Sequence, residues 1–309
     1  MVRPELLVSA GSKEEIKVLL SAGADAVVVG EPAFGLRLPG TITTEDLAEI
    51  IPWAHEHGKK IYVSVNTVIE NHKIASLSTY LKKLNDLQVD AVIFGDPAVI
   101  MAAKEAAPGL KLHWNSEMTT TNYVTAAYWG DKGASRAVLA RELNMDEVLE
   151  FKQNSELEVE VQVHGLTNIY HSKRDLVDSY MGHRNVQQGA VNASMDRGLF
   201  LIEHERPNER FPIYQDENGT QIMSSDDVCM IENLPELLDG NIDSLKIEGL
   251  LKSVKYNETV VRNYRAAIDS YLADPANYKF KDEWLEEIQE LQDPDRELTF
   301  GFFYKEQVY

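Results

Sequence analysis

The sequence predicts an α/β chain folded as a TIM (β/α)8 barrel, with a small insertion between strand seven and strand eight. Three observations predict it. Short β-branched runs alternate with helical stretches along most of the chain. Several of those runs, such as residues 25–30 and 90–95, are continuously apolar, as parallel strands covered on both faces are. Eight such units fit with right-handed crossovers. An open doubly wound sheet is the runner-up, but no GxGxxG follows the first strand.

Seven strands are expected at 5–9, 25–30, 60–66, 90–95, 111–115, 136–140 and 158–164, and the eighth at 244–248. Ser12 and Glu15 form a capping-box pattern that opens the first helix, Thr43 or Thr44 opens the second, and Asn144 with Glu147 opens another. Helices are expected at 73–87, 97–106, 121–129 and 144–153, and a long amphipathic one at 254–272. Ala-Gly-Ala, Leu-Gln-Val and Lys-Gly-Ala precede three of the strands as helix stops. Residues 1–165 then hold barrel units one to seven, and 166–243 an insertion at the barrel mouth. Residues 244–309 hold the last strand, the long helix and a tail. The insertion carries a hairpin signal at 211–223, turning at Glu217-Asn218-Gly219-Thr220. The tail is an acidic helix followed by the aromatic, strand-like run 299–304.

With 44% hydrophobic and 26% charged residues the 309-residue chain has the composition of a folded globule. No apolar run approaches the ~20 residues of a membrane span, and the N-terminal stretch is not a secretory signal, so a cytoplasmic protein is expected. The net charge of −20 repels phosphate backbones and counts against unaided nucleic-acid binding. One cysteine, Cys229, allows no internal disulfide and no cysteine-held metal or cluster site, and its apolar flanks predict a buried thiol.

Barrel active sites lie at the C-terminal ends of the strands. Those ends carry Glu31 and Arg37, Asn66, Asp96, Asn115-Ser116-Glu117, Arg141-Glu142, His164, and Lys246 with Glu248. From this set Arg37, Asn66, Asn115, Arg141, Glu142, His164, Lys246 and Glu248 are the ligand-binding candidates. They make a polar cup for a small anionic or multiply hydrogen-bonding ligand. Arg37, Arg141, His164, Lys246 and Glu248 in particular are expected to converge on one pocket. GxSxG, HExxH and P-loop motifs are absent, and the histidine spacings fit no zinc site. Tyr170, His171, Lys173, Arg174, Tyr180, His183 and Arg184 form a basic, aromatic cluster in the acidic chain. That cluster reads either as an RNA contact or as a solvated loop.

Residues 5–12, 22–30, 136–143, 163–165, 244–249 and 299–303 together resemble the collagenase-like peptidases of unknown catalytic type, peptidase family U number thirty-two. The resemblance spans nearly the whole chain. The family signature runs Glu-x-Phe-x-x-Gly, a small and an aliphatic residue, Cys, four residues, Gly, one residue, Cys, one residue, an aliphatic residue and Ser. Laid from Glu160 it matches at Gly165 and Val177, but Gln162 replaces Phe and Leu166 and Thr167 replace the next two residues. Asn168 stands at the first Cys, Lys173 at the second Gly, Asp175 at the second Cys and Asp178 at Ser. Leu250 stands where relatives have Arg.

The resemblance implies a barrel, a family label of protease, and better-understood relatives that act as oxygen-independent hydroxylation factors on tRNA wobble uridine, ribosomal RNA cytidine or the ubiquinone ring. It implies that relatives hold a 4Fe–4S cluster on the cysteines missing here, and that such proteins work as paralogue pairs. In the tRNA branch the hydroxyl source is associated with the dicarboxylate prephenate. The expectation is therefore a chain without a cofactor of its own. It acts beside a cluster-bearing, cysteine-bearing paralogue in a heteromer that forms 5-hydroxyuridine, and reaches tRNA through that complex. A collagenase-like peptidase and a non-catalytic scaffold of the paralogue are the alternatives. A protease would need an activated nucleophile, a metal or an aspartate dyad, and no spacing in the chain indicates one.

Overall fold

Eight parallel strands close into a barrel in the computed structural model, which describes residues 2–115, 120–184 and 192–306. They are β1 (Glu5–Ser9), β2 (Ala26–Val29), β3 (Lys60–Val65), β4 (Ala91–Phe94), β5 (Leu112–Trp114), β6 (Ala134–Val138), the first half of β7 (Glu158–Ser172), and β11 (Ser244–Ile247). Strand β11 pairs with β7 on one side and β1 on the other, which completes the ring.

Helices α1 (Lys13–Ala22), α2 (Thr44–Glu56), α3 (Ile74–Asp86), α4 (Pro97–Ala106), α5 (Tyr123–Lys132) and α6 (Met145–Asn154) follow strands one to six. Thr43 and Asp46, and Asn144 and Glu147, form reciprocal capping boxes, satisfying two free N–H groups at each helix start. Ser12 caps α1, but Glu15 reaches back to Gly11 instead of Ser12. The three predicted helix stops, Gly23, Gln88 and Gly133, all sit at positive φ, the left-handed turn that ends a helix.

Strand β7 does not stop at the barrel rim. It runs on to Ser172, leads into α7 (Leu176–His183), and pairs antiparallel with β10 (Gly219–Cys229). Strands β8 (Phe200–Ile202) and β9 (Arg210–Asp216) extend this sheet, with β8 at its open edge. The hairpin turn falls between Asp216 and Gly219, inside the predicted stretch. Helix α8 (Leu234–Asp239) returns the chain to β11, and α9 (Val254–Ala273) packs along α1. After α10 (Asp282–Gln289) the described part of the tail forms β12 (Leu298–Thr299), paired with β10. The predicted strand at 299–304 is thereby corrected: Gly301 at φ 56 breaks the extended run into a turn.

The principal core lies between strands and helices, where Val8, Val27, Val63, Phe94, Trp114 and Val161 face outward from the barrel. The lumen is divided. On β1 to β4 it is lined by the apolar cluster Leu7, Ala26, Val28, Tyr62, Ala91 and Ile93. Among the buried polar residues, His113, Arg136, Glu160, Ser244 and Lys246 stand on strands β5, β6, β7 and β11. No helix among the described residues is long and apolar enough to cross a membrane.

Candidate functional site: a cationic cup at the barrel mouth

At the barrel floor Arg136 bonds three carboxylates: Glu5 at 2.6 Å, Glu158 at 2.7 Å and Glu160 at 3.2 Å. Burial would raise the Glu5 pKa, but Arg136, Tyr62 and Lys60 outweigh it and hold the carboxyl at about 2. Burial pushes Glu160 upward, with Arg136 and Lys246 opposing, and its Oε1 has no hydrogen-bond partner.

At the other end, six of the predicted residues meet. Arg37, Asn66, Asn115, Arg141, Lys246 and Glu248 line one void of about 30 Å³, room for about two waters or one carboxylate group. Asn66 accepts from Leu36 N–H at 2.7 Å and so fixes the loop that carries Arg37. Arg37 itself lies at φ 54, a costly backbone for a non-glycine residue that persists where neighbours over-determine it. Those neighbours include Asn218, which donates to Pro32 O at 2.9 Å from the hairpin turn above. Arg141 donates from Nε to Gln162 at 2.8 Å, leaving the Nη edge of its guanidinium for the void it lines. Glu248 bonds Lys246 at 3.1 Å and accepts from Ser9 at 2.5 Å. Burial would raise the Glu248 pKa, but Lys246, Ser9 and Arg141 together lower it. Burial, then the nearby charge of Arg141, pushes Arg37 down to about 10. The cup thus gathers the buried cations Arg37, Arg141 and Lys246 around the carboxylate of Glu248.

Two candidates lie elsewhere. His164 does not reach the cup. Alternation along β7 puts Glu160 and Gln162 in the lumen and would put His164 there too. A register shift intervenes: Lys246 pairs with Gln162, but Ile247 pairs with His164. The bulge turns His164 outward into the core, where its Nε2 meets Tyr256 Oη at 2.9 Å and its Nδ1 meets Tyr264 Oη at 3.3 Å. Burial lowers its pKa to about 3, so it is neutral. Glu142 is exposed and does not line the void. Of the other strand-end residues, Glu31 accepts from Thr44 N–H and Asp96 caps α4 through Ala98 N–H. Ser116 and Glu117 lie outside the described residues.

Residues the sequence reading missed complete the site. Ser9 and Gln162 stand at strand ends and on lumen positions, so the same rule reaches them. Gln221, which accepts from Arg37 Nη1 at 3.4 Å, and Tyr214 opposite it come from the hairpin, which no local pattern aims at the cup. Beneath the hairpin Leu166, Tyr214, Met223 and Leu250 form a small core of their own. A groove of about 800 Å³ runs beside the cup and shares Arg141 and Gln162 with a smaller void adjoining it.

A thiolate-held iron–sulfur cluster does not fit this chain. Asn168 donates to the Tyr170 and Ile222 carbonyls, Asp175 offers only oxygen, and Cys229 pairs with His164 behind the barrel wall. Burial pushes the Cys229 thiol up to about 11, opposite to what a cluster ligand needs.

Fold and cup together define a TIM-type barrel with a polar, cation-bearing mouth and a sheet insertion. The model of Peptidase family U32 matches residues 11–308, and the chain belongs to that family. It is 48% identical over 310 residues to tRNA hydroxylation protein P2 of Bacillus subtilis, covering all of both chains. It is 35% identical to tRNA hydroxylation protein P1 of the same organism, over 99% of this chain and 74% of that one. It is 32% identical to tRNA hydroxylation protein P of Escherichia coli, over 88% of this chain and 69% of that one. Among solved structures, the U32 peptidase Mk0906 superposes at a TM-score of 0.50 with 16% identity, over 79% of this chain and 92% of that one. That likeness bears on the fold.

Proposed function

We propose that this chain is a subunit of an oxygen-independent tRNA hydroxylation system that forms 5-hydroxyuridine at the wobble position. The observation that carries the reading is the cup, in a chain that matches tRNA hydroxylation protein P2 from end to end. A cup with the Arg37, Arg141 and Lys246 heads suits a carboxylate-bearing hydroxyl donor, and prephenate is the donor proposed. The overall exchange balances without dioxygen. The uridine C5–H becomes C5–OH, a two-electron oxidation, while the donor's C–OH becomes C–H, a two-electron reduction. The groove beside Arg141 and Gln162 offers a nucleoside a route to the same point.

The second component is a cluster-bearing paralogue in a heteromer. Two paralogous hydroxylation proteins in one organism are consistent with such a pair. The docking face proposed is the insertion, whose strand β8, at the sheet edge among the described residues, exposes Phe200, Leu201 and Ile202. The basic cluster at 170–184 lies on the same insertion; within it Lys173 is paired with Glu70 at 2.6 Å. A non-catalytic scaffold is the alternative favoured by one observation, the small size of the void.

Nucleoside mass spectrometry of tRNA from a strain lacking this gene and its compensating paralogues tests the reading. Loss of 5-hydroxyuridine, restored by this gene together with the paralogue, is expected. Undiminished 5-hydroxyuridine overturns it. Calorimetry with prephenate separates a donor-binding subunit from a scaffold.

A further inference from the structure

The hairpin above the cup carries two buried donors with no partner. Tyr214 is 3% exposed and Gln221 is fully buried, yet Tyr214 Oη and Gln221 Nε2 bond nothing. Buried polar groups are nearly always satisfied, and leaving one unmade costs about 1–3 kcal/mol. Two such orphans side by side therefore need a reason.

Their placement supplies one. Tyr214 and Gln221 are directly opposed on β9 and β10, so their side chains share one face of the hairpin. That face points at the barrel mouth, because Gln221 accepts from Arg37 through its Oε1. The Nε2 on the same amide is therefore within a few ångströms of the Arg37 head. The Tyr214 hydroxyl lies within electrostatic reach of both Arg37 and Glu248. The turn of the hairpin is fastened to the Arg37 loop by Asn218, which fixes the hairpin over the cup. Below, the Arg141 fork and the Lys246 ammonium line the void.

We propose that Tyr214 and Gln221 are ligand-binding residues that donate from above to a carboxylate group held from below by Arg141 and Lys246. The inference rests on reading the cup as an anion site and adds the insertion as its roof. A guanidinium edge presents two parallel donors, the pattern that grips a planar carboxylate in bidentate fashion. Two neutral donors over such a pair satisfy the remaining oxygen lone pairs at no further cost in charge. A free phosphate shares the negative charge but not the planar fork geometry. The ligand class is thus a small carboxylate, and the insertion serves the chemistry of the cup in addition to any docking role.

Isothermal calorimetry on the full chain tests this with malonate, prephenate and inorganic phosphate, for the parent, Tyr214→Phe and Gln221→Glu. The parent should bind at least one of the two carboxylates more tightly than phosphate. Tyr214→Phe should weaken that binding about tenfold, the scale of one lost hydrogen bond to a charged group. Gln221→Glu, which replaces the donor with a carboxylate facing Arg37, should weaken it further. Thermal melting without ligand should be unchanged or slightly raised in Tyr214→Phe, because the hydroxyl it removes is unpaired in the free protein. Equal affinity in the parent and Tyr214→Phe overturns the proposal, and so does a parent that binds neither carboxylate or prefers phosphate. A lowered melting temperature with unchanged affinity overturns it too, since that is the mark of a structural hydroxyl. Hydroxyuridine levels are read separately: carboxylate binding that depends on Tyr214, with normal hydroxyuridine in the deletion strain, would sink the tRNA reading and leave the roof intact.

Discussion

Ser9 Oγ donates to Glu248 Oε1 at 2.5 Å and accepts from Gly249 N–H at 2.8 Å, joining the first and last barrel strands at the mouth. One hydroxyl thus links the two strands beyond their backbone pairing and fixes the only carboxylate that lines the cup among the described residues. Ser9→Ala should strand the Gly249 N–H and one Glu248 lone pair, at a cost of about 1–3 kcal/mol. Urea denaturation midpoints for Ser9→Ala and Ser9→Thr check this, with Thr retaining more of the stability.

Gly165 holds a second crossing. It sits at φ 96, and a Cβ there would lie 2.2 Å from the Glu248 carbonyl oxygen. Gly165→Ala should cost more than about 2 kcal/mol, from backbone strain and the forced separation of β7 from the Glu248 segment. Chemical denaturation measures the loss. Carboxylate affinity should fall with it, since Glu248 belongs to the cup.

Asp227 is the fully buried anchor of the insertion. It accepts from Lys252 at 2.5 Å, Arg296 at 2.7 Å and Gln292 at 2.7 Å. Burial would raise its pKa, but Arg296, Lys252 and Gln292 hold it well below the ordinary 3.8. A depressed carboxylate adds stability that is present above the unfolded pKa and is lost as pH falls below it. Asp227→Asn should cost about 3–5 kcal/mol at neutral pH, because Lys252 and Arg296 stay buried without their counter-charge. The penalty should shrink as the parent is acidified below about pH 4. Limited proteolysis should cut the variant first within 292–306.

His164 contributes to a loss of stability below pH 6.5, alongside His113, whose pKa burial also lowers. The folded pKa of His164 is about 3 against an unfolded 6.5, so below pH 6.5 only the unfolded chain takes the proton. Stability should therefore fall by up to about 1.4 kcal/mol per pH unit between pH 6.5 and pH 3. His164→Gln should be less stable at pH 8 and should flatten this slope. A slope as steep as the parent's in that variant would mean that another group is titrating.

The barrel was legible because its signals are local: β-branched runs, capping residues and helix stops each occupy a few neighbouring positions. Six of eight cup candidates were legible for the same reason, since a strand's C-terminal end is a position along the chain. The sequence puts His164 in the cup because nothing in residues 158–164 marks the one-residue bulge that reverses its facing. The sequence ends β7 too early because Leu166–Ser172 is held extended by β10, 48 to 61 residues away. Tyr214 and Gln221 were out of reach because their bearing on the cup depends on how the whole hairpin leans, and that is decided by Asn218 and by the small core around Leu250.

The pairing of β1 with β11 has a consequence for how the chain is made. As it leaves the ribosome, β1 emerges first and its second neighbour arrives only after residue 247. Until then the nascent chain is an open sheet with two raw edges, β1 and β7. Contacts spanning about 240 positions close slowly, because loop-closure entropy is spent before they form. The half-made chain is therefore the vulnerable species in the cell. A fragment ending before Ser244 should depend on chaperones or precipitate, whereas release of the last strand converts it in one step to a ring without edges.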